Sequence, residues 1–378
     1  MNILKSGHRM RNKCEKAALA EKEENMALSV LPYLQKAVER GASDIFIIAG
    51  GPVNLKVDGR IQPVDDNRIL PDASKELVED IYQIAGREWT KFEKQGDDDF
   101  SFAKAGLARF RVNAYRQRGS IAAVIRVVAF DIPDYQTLGI PEEVMKIAEQ
   151  QHGMVLISGT AGSGKSTTQA CIIDKINHTR NAHVITLEDP IEYLHRNNTC
   201  IVSQREIAID TTDYLSALRA CLRQAPNVIQ LGEMRDFETI RVAMTAAETG
   251  HLLLATLHTK GAVSTIDRII DTFPSNQQAQ IRIQLSMILN TVISQQLVPG
   301  KDGGMVPAFE IMHMNSAIRN MIRDSKNYQI DNIIQTSAAE GMLTMDQSLI
   351  NLYQEGKITK ETAIEYATYP EQVARKLR

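Results

Sequence analysis

Only four cysteines occur in the 378 residues, Cys14, Cys171, Cys200 and Cys221, and no two share a Cys-x-x-Cys spacing. A disulfide framework and a cysteine zinc site are excluded on that count, and the four read as buried, cytosolic thiols. His-Glu-x-x-His is missing as well, which removes a zinc hydrolase of that type. Neither sign of charge dominates: 43 Lys and Arg against 46 Asp and Glu leave a net of −3, too little for the broad positive field of a dedicated nucleic-acid binder. No apolar run approaches the roughly 18 residues of a membrane span. "HLLLATLH" and "AAVIRVVAF" have instead the length of buried strands. The basic N-terminus (Lys5, Arg9, Arg11, Lys13) runs into Glu21, Glu23 and Glu24 without the apolar core of a secretory signal, so the expected location is cytoplasmic. Residues 1–25 read as a charged extension, with Met26 an alternative start.

What is present is organised in two parts. After the extension, Leu28, Leu31, Leu34 and Val38 follow a helical spacing that Gly41 stops. Two β-rich arms flank the Asp58-Gly59 hairpin signal, a helix is expected over 75–85, and "LARFRVNAYRQRGSIAAVIRVVAF" reads as a second hairpin turning at Gly119-Ser120. This predicts an α+β domain over 26–130, and the Pro- and Gly-bearing "DIPDYQTLGIP" reads as a linker, 131–141. Over 142–378 the pattern becomes strand, turn, helix in repetition: "GMVLIS", "HVITLE", "NVIQLGE" and "HLLLATLH" are the expected strands. Such alternation implies a parallel sheet wrapped in helices. From about Ser264 onward the chain is expected to be helical.

Between "GMVLIS" and the next helix stands Gly159-Thr160-Ala161-Gly162-Ser163-Gly164-Lys165-Ser166-Thr167, which carries the G-x-x-x-x-G-K-S spacing. Phosphates need a ring of backbone N–H donors, and glycines let the chain curl closely enough to supply it. The helix start aims its positive dipole end at the same charges. Lys165 then reaches the β- and γ-phosphates, and the Ser166 hydroxyl ligates Mg²⁺. No N-K-x-D base reader follows the loop, so ATP is the expected nucleotide.

Several charged residues fall where parallel strands end, the side of such a sheet that faces ligand. Glu233 follows "NVIQL" and either orients Mg²⁺ through water or caps the next helix. In "TLEDPIEYLH", Glu188, Asp189 and Glu192 surround a turn. Glu192 is the expected general base for the attacking water and Glu188 the second choice, the plainer alternative being a solvated turn. His258, at the end of "HLLLATLH", sits at the same edge and could sense the γ-phosphate, although a lone histidine beside apolar residues is more often a core group. In the N-terminal hairpin, Arg109 and Arg111 alternate with Phe110 and Val112 and so project from one face. Arg111 and Arg126 read equally well as a solvated edge or as arginine fingers on bound nucleotide, that of this subunit or of an adjacent one.

The loop "GTAGSGKST", the acidic box "LEDPIEYLH", the segment "RACLRQAPNVIQLGEMRD" and "TGHLLLATLHT" resemble the Walker A, Asp box, Walker B and His box of secretion ATPases. Within them, "GLARFRVNAYRQRGSIAAVIR" and the tail from "AIRNMIRD" are most similar to the pilus-retraction (PilT-type) ATPases, over about 26–366. The resemblance implies a PAS-like domain followed by a RecA-like one and a homohexamer with ATP held between domains and against the next subunit. It assigns Lys165 and Ser166 to the P-loop pair, Glu192 to catalysis, Glu233 to Walker B and His258 to the His box, with Arg111 and Arg126 sensing nucleotide. The implied partner is an inner-membrane platform protein of a pilus or secretion machine, with peripheral membrane association through that partner and no stable nucleic acid. No tetracysteine module is present, which favours retraction over extension. Gln230, Met321 and Asp324 depart from the pattern. None of these removes a catalytic group, and the N-terminal extension leaves a Dot-type secretion ATPase as the alternative, ahead of a RecA-like nucleic-acid motor.

Overall fold

The computed structural model describes residues 28–57, 59–128 and 132–378, so the 1–25 extension, Met26, Cys14 and Asp58 of the expected turn lie outside the described residues. Two compact units divide after residue 130.

In the first unit the helix Leu31–Glu39 buries Leu34 and Ala37, and Gly41 at φ 63° ends it in the left-handed conformation that glycine tolerates. Six strands follow: β1 (Asp44–Ile47), β2 (Asn54–Val57), β3 (Arg60–Pro63), β4 (Asp97–Lys104), β5 (Ala108–Gln117) and β6 (Ser120–Val128). They form one antiparallel sheet in the order β3-β2-β1-β6-β5-β4. On β5, Phe110, Val112 and Ala114 are fully buried while Arg109 and Arg111 lie on the other face, as alternation requires. The 75–85 helix starts earlier than expected, at Pro71, because proline suits the first helical position. Gln117 pairs with Ser120, so the second hairpin turns through Arg118-Gly119 and not Gly119-Ser120.

The second unit is built on seven strands: β7 (Gly153–Ser158), β8 (His183–Glu188), β9 (Ile201–Glu206), β10 (Val228–Leu231), β11 (Leu252–Leu257), β12 (Leu289–Pro299) and β13 (Met305–His313). Their order is β13-β12-β7-β11-β10-β8-β9, parallel except for the β12–β13 pair. Every residue of β7, β10 and β11 is buried, which requires helices on both faces. The helix Lys165–Thr179 covers one face through Ile172, Ile173 and Ile176. Tyr214–Cys221, Phe237–Glu248, Ala262–Asp271 and Ser275–Ile288 cover the other, burying Leu218, Ile240, Ile269 and Leu285.

The expectation of helix from Ser264 onward is corrected by β12 and β13. Their β-branched run Thr291-Val292-Ile293 extends the sheet beside β7, and Gly303 and Gly304, at φ 92° and 73°, make the return turn. Only from Ser316 is the chain helical again, beginning with Ser316–Arg323, whose Ile318 and Ile322 are fully buried. Strand β9 was likewise not expected. The segment read as a linker is docked over its described length, since Ile132, Tyr135 and Leu138 pack on the second unit's core and Ile140 is buried in it. Among the described residues no helix is long and apolar enough to cross a membrane.

Gln230, in the middle of β10, is 5 % exposed and its Oε1 has no hydrogen-bond partner. An unpaired buried carbonyl costs roughly 1–3 kcal/mol. Gln230→Met should therefore raise stability by about 1 kcal/mol, read as a higher urea midpoint at unchanged slope.

Candidate nucleotide site

The sheet order sets the site. Going from β7 through β11 and β10 to β8, the carboxyl ends of adjacent parallel strands deliver in turn the glycine-rich loop, His258, Glu233 and Glu188. That edge is where open α/β sheets receive ligand.

Gly159, Gly162 and Gly164 hold the loop open with φ of 149°, 75° and 86°. A Cβ on Gly159 would run into the backbone carbonyl of Gln295 on β12 and the Ser163 hydroxyl, and one on Gly164 would come within 2.8 Å of Gln295 Nε2. Gln295 also accepts a hydrogen bond from Thr168 Oγ1 at 2.8 Å, so β12 fastens the loop from the side. Lys165 is 7 % exposed and donates to the carbonyl oxygens of Gly159 (2.9 Å) and Thr160 (2.8 Å). Burial pulls its pKa down, against the opposing fields of Glu233 and Glu192. Lysine and both acids therefore share one electrostatic neighbourhood. Ser163 Oγ is buried without a partner, and Ser166 and Thr167 are half-buried in the first turn of the helix. An orphaned hydroxyl in a curled, glycine-lined loop at a helix N-terminus suits a phosphate chain.

Glu233 is placed by two backbone bonds that carry the chain past the end of β10, Gly232 N–H to Leu187 O (2.8 Å) and Met234 N–H to Thr256 O (3.1 Å). Its carboxylate meets His258 Nε2 at 3.2 Å and Arg235 at 2.6 Å. Burial works to raise its pKa, but Arg235, with His258 and Lys165 behind it, holds the carboxyl below the usual range. Asp236, not Glu233, caps the helix Phe237–Glu248, accepting from Thr239 N–H at 2.9 Å.

Glu192 is exposed on the irregular segment after β8, and Tyr193 Oη lies 2.9 Å from Thr167 Oγ1, tying that segment to the P-loop helix. Glu188 turns inward: its Oε1 accepts from Thr186 Oγ1 (2.5 Å) and from Gln204 Nε2 (3.1 Å). Burial pushes its carboxyl up to about 7. Its present duty is to bind its own loop. Arg111 and Arg126 belong to the first unit, where they pair with Asp99 (2.6 Å) and Asp44 (3.1 Å) across the sheet. Gln295 and Gln204 escaped the sequence reading because each lies on a strand that was not expected. Four consecutive polar residues, Ser203 to Glu206, left no local signal for Gln204.

Two outcomes follow. Gly159→Ala should weaken nucleotide binding at least about tenfold, and more than Gly162→Ala, whose added methyl meets nothing within 4 Å; titration with a fluorescent nucleotide ranks them. A carboxyl raised from 4.5 to about 7 keeps a proton in the folded chain that the unfolded chain has released, so Glu188 costs stability as pH climbs through that window. Glu188→Gln should melt above the parent at pH 8, and the gap should close by pH 5.

The family model "Type II/IV secretion system protein" matches residues 20–310. The type IV pilus retraction ATPase PilT of Pseudomonas aeruginosa is 43 % identical over 345 residues, 91 % of this chain and 99 % of that one. A crystal structure of the pilus retraction motor PilT with bound ADP superposes with a TM-score of 0.84 at 44 % identity, covering 92 % of this chain and 99 % of the other. The ATPase DotB of Legionella pneumophila follows at a TM-score of 0.70 and 28 % identity, covering 89 % and 95 %. With a phosphate loop, acids and histidine gathered along one sheet edge, and with this likeness along nearly its whole length, the chain belongs to the Type II/IV secretion system protein family.

Proposed function

We propose that this protein is a motor ATPase that retracts a type IV pilus, working as a homohexamer beneath an inner-membrane platform protein. The observation that carries the reading is the 44 % identity to a retraction motor across 99 % of its length, against 28 % for DotB. A Dot-type secretion role is the second reading, supported by that weaker likeness.

In this reading ATP lies along the 159–167 loop, with Lys165 released from the Gly159 and Thr160 carbonyls to meet the phosphates. Among the described residues no group of three or more His, Cys, Asp or Glu could hold a metal alone. Mg²⁺ would accompany the nucleotide, with the Ser166 hydroxyl and, through water, Glu233 to hold it. Bound there it would neutralise phosphate charge. Glu192 takes the proton of the attacking water, and His258, braced by Glu233, hydrogen-bonds near the γ-phosphate. Arg111 and Arg126 would exchange Asp99 and Asp44 for the phosphate of a neighbouring subunit and stabilise charge during transfer. Binding and release of nucleotide then supply the conformational change that does mechanical work.

Glu192→Gln should lose at least about a hundredfold in kcat while still binding ATP. Turnover at the parental rate would remove the chemistry assigned here. A clean gene deletion separates the two roles: excess surface pili without twitching supports retraction, and loss of effector delivery with normal pili supports secretion.

A further inference from the structure

Glu192 stands on a stretch without regular structure. Residues 189–200, between β8 and β9, belong to neither a helix nor a strand. No ladder of backbone hydrogen bonds fixes such a segment, so its shape has to come from side chains. Its second half is held by Asn177 of the P-loop helix, which bonds to Arg196, Asn198, Thr199 and Cys200, whereas the bonds to the peptides around Glu192 come from β9. Glu206 Oε2 accepts from Ile191 N–H at 3.1 Å. Gln204 Nε2 donates to Tyr193 O at 2.8 Å, and Gln204 Oε1 accepts from His195 N–H at 2.8 Å. The same Nε2 reaches Glu188 Oε1 at 3.1 Å. Thr186 and Glu188 of β8 stand opposite Gln204 and Glu206 in register, so all four share one face of the sheet.

We infer that Gln204 and Glu206 are positioning residues for hydrolysis, holding the peptide groups on either side of Glu192 so that its carboxylate addresses the water. Neither touches nucleotide. Ile191 and Tyr193 flank the acid directly; Glu206 grips the first and Gln204 the second. Tyr193 carries the constraint on to Thr167 in the P-loop helix at 2.9 Å. Glu206 is 3 % exposed and Gln204 is half-buried, so both are set by packing before ligand arrives. A general base displaced by about 1 Å can lose roughly a hundredfold in rate.

The inference rests on the assignment of Glu192 as the base, and the test separates the two. In the full-length protein, Gln204→Ala should lower kcat roughly 10- to 100-fold with KM for ATP kept within about twofold, because the phosphate loop is untouched. Gln204→Glu keeps the shape and the acceptor for His195 but, when ionised, cannot donate to Tyr193 or Glu188. Protonation restores a donor, so its activity relative to the parent should rise as pH falls from 8.5 to 6. This second variant also serves if the alanine variant is poorly folded. Parental kcat in Gln204→Ala, a loss confined to KM, or a flat activity ratio for Gln204→Glu across pH would each overturn the role of β9. If Gln204→Ala is parental while Glu192→Gln is inert, the base assignment stands and only this inference fails. If Glu192→Gln is active, the base assignment fails and takes the inference with it.

Discussion

A phosphate loop can curl tightly only where no side chain fills its inside, and in this fold the neighbouring strand makes that demand absolute. The carbonyl of Gln295 lies where a Cβ on Gly159 would have to go, and its amide side chain stands over Gly164. The loop is therefore squeezed between its own helix and β12, and glycine is the residue that fits. The close approach has a use. It lets Thr168 and Gln295 bond across the gap and fixes where the helix starts, and with it the direction in which its N–H groups point. Lys165 is buried in the same loop and bonded to two of its carbonyls.

The acids around this loop are held by different means and so differ in chemistry. Glu233 is an ionised carboxylate because Arg235 and His258 face it. Glu188, a strand away, is surrounded by Thr186, Gln204 and the peptide of Glu192, and burial pushes its carboxyl up to about 7. Glu192 faces solvent. One sheet edge thus carries an ion-paired carboxylate, an inward-turned hydrogen-bonded one and a solvent-exposed one, the same residue type in three environments.

Much of this was legible in order of residues. The spacing around Lys165, the apolar strands before it and the acids at strand ends announced a parallel sheet and its nucleotide edge, since periodicity and glycine placement act locally. The alternation Arg109-Phe110-Arg111-Val112 likewise gave the correct faces of β5. What failed were strands whose signals are not local. Helical spacing around Leu285 runs directly into β12, with no break to announce the change, and β9 is an edge strand whose half-exposed polar side chains lack the apolar run of a buried one. Tyr135 and its neighbours, read as linker because of Pro and Gly, carry enough apolar surface to dock.

Residue order by itself determined that this chain cradles phosphate, that acids and a histidine end the strands beside the cradle, and that an arginine-rich hairpin precedes them, because each is a matter of spacing along a few residues. Tertiary structure decided which groups serve which others: that Gln295 closes the loop, that Asp236 and not Glu233 caps a helix, that Glu188 turns inward, and that β9 grips both sides of Glu192. Those pairings join residues far apart in the chain, and only the order of strands in the sheet brings them within reach.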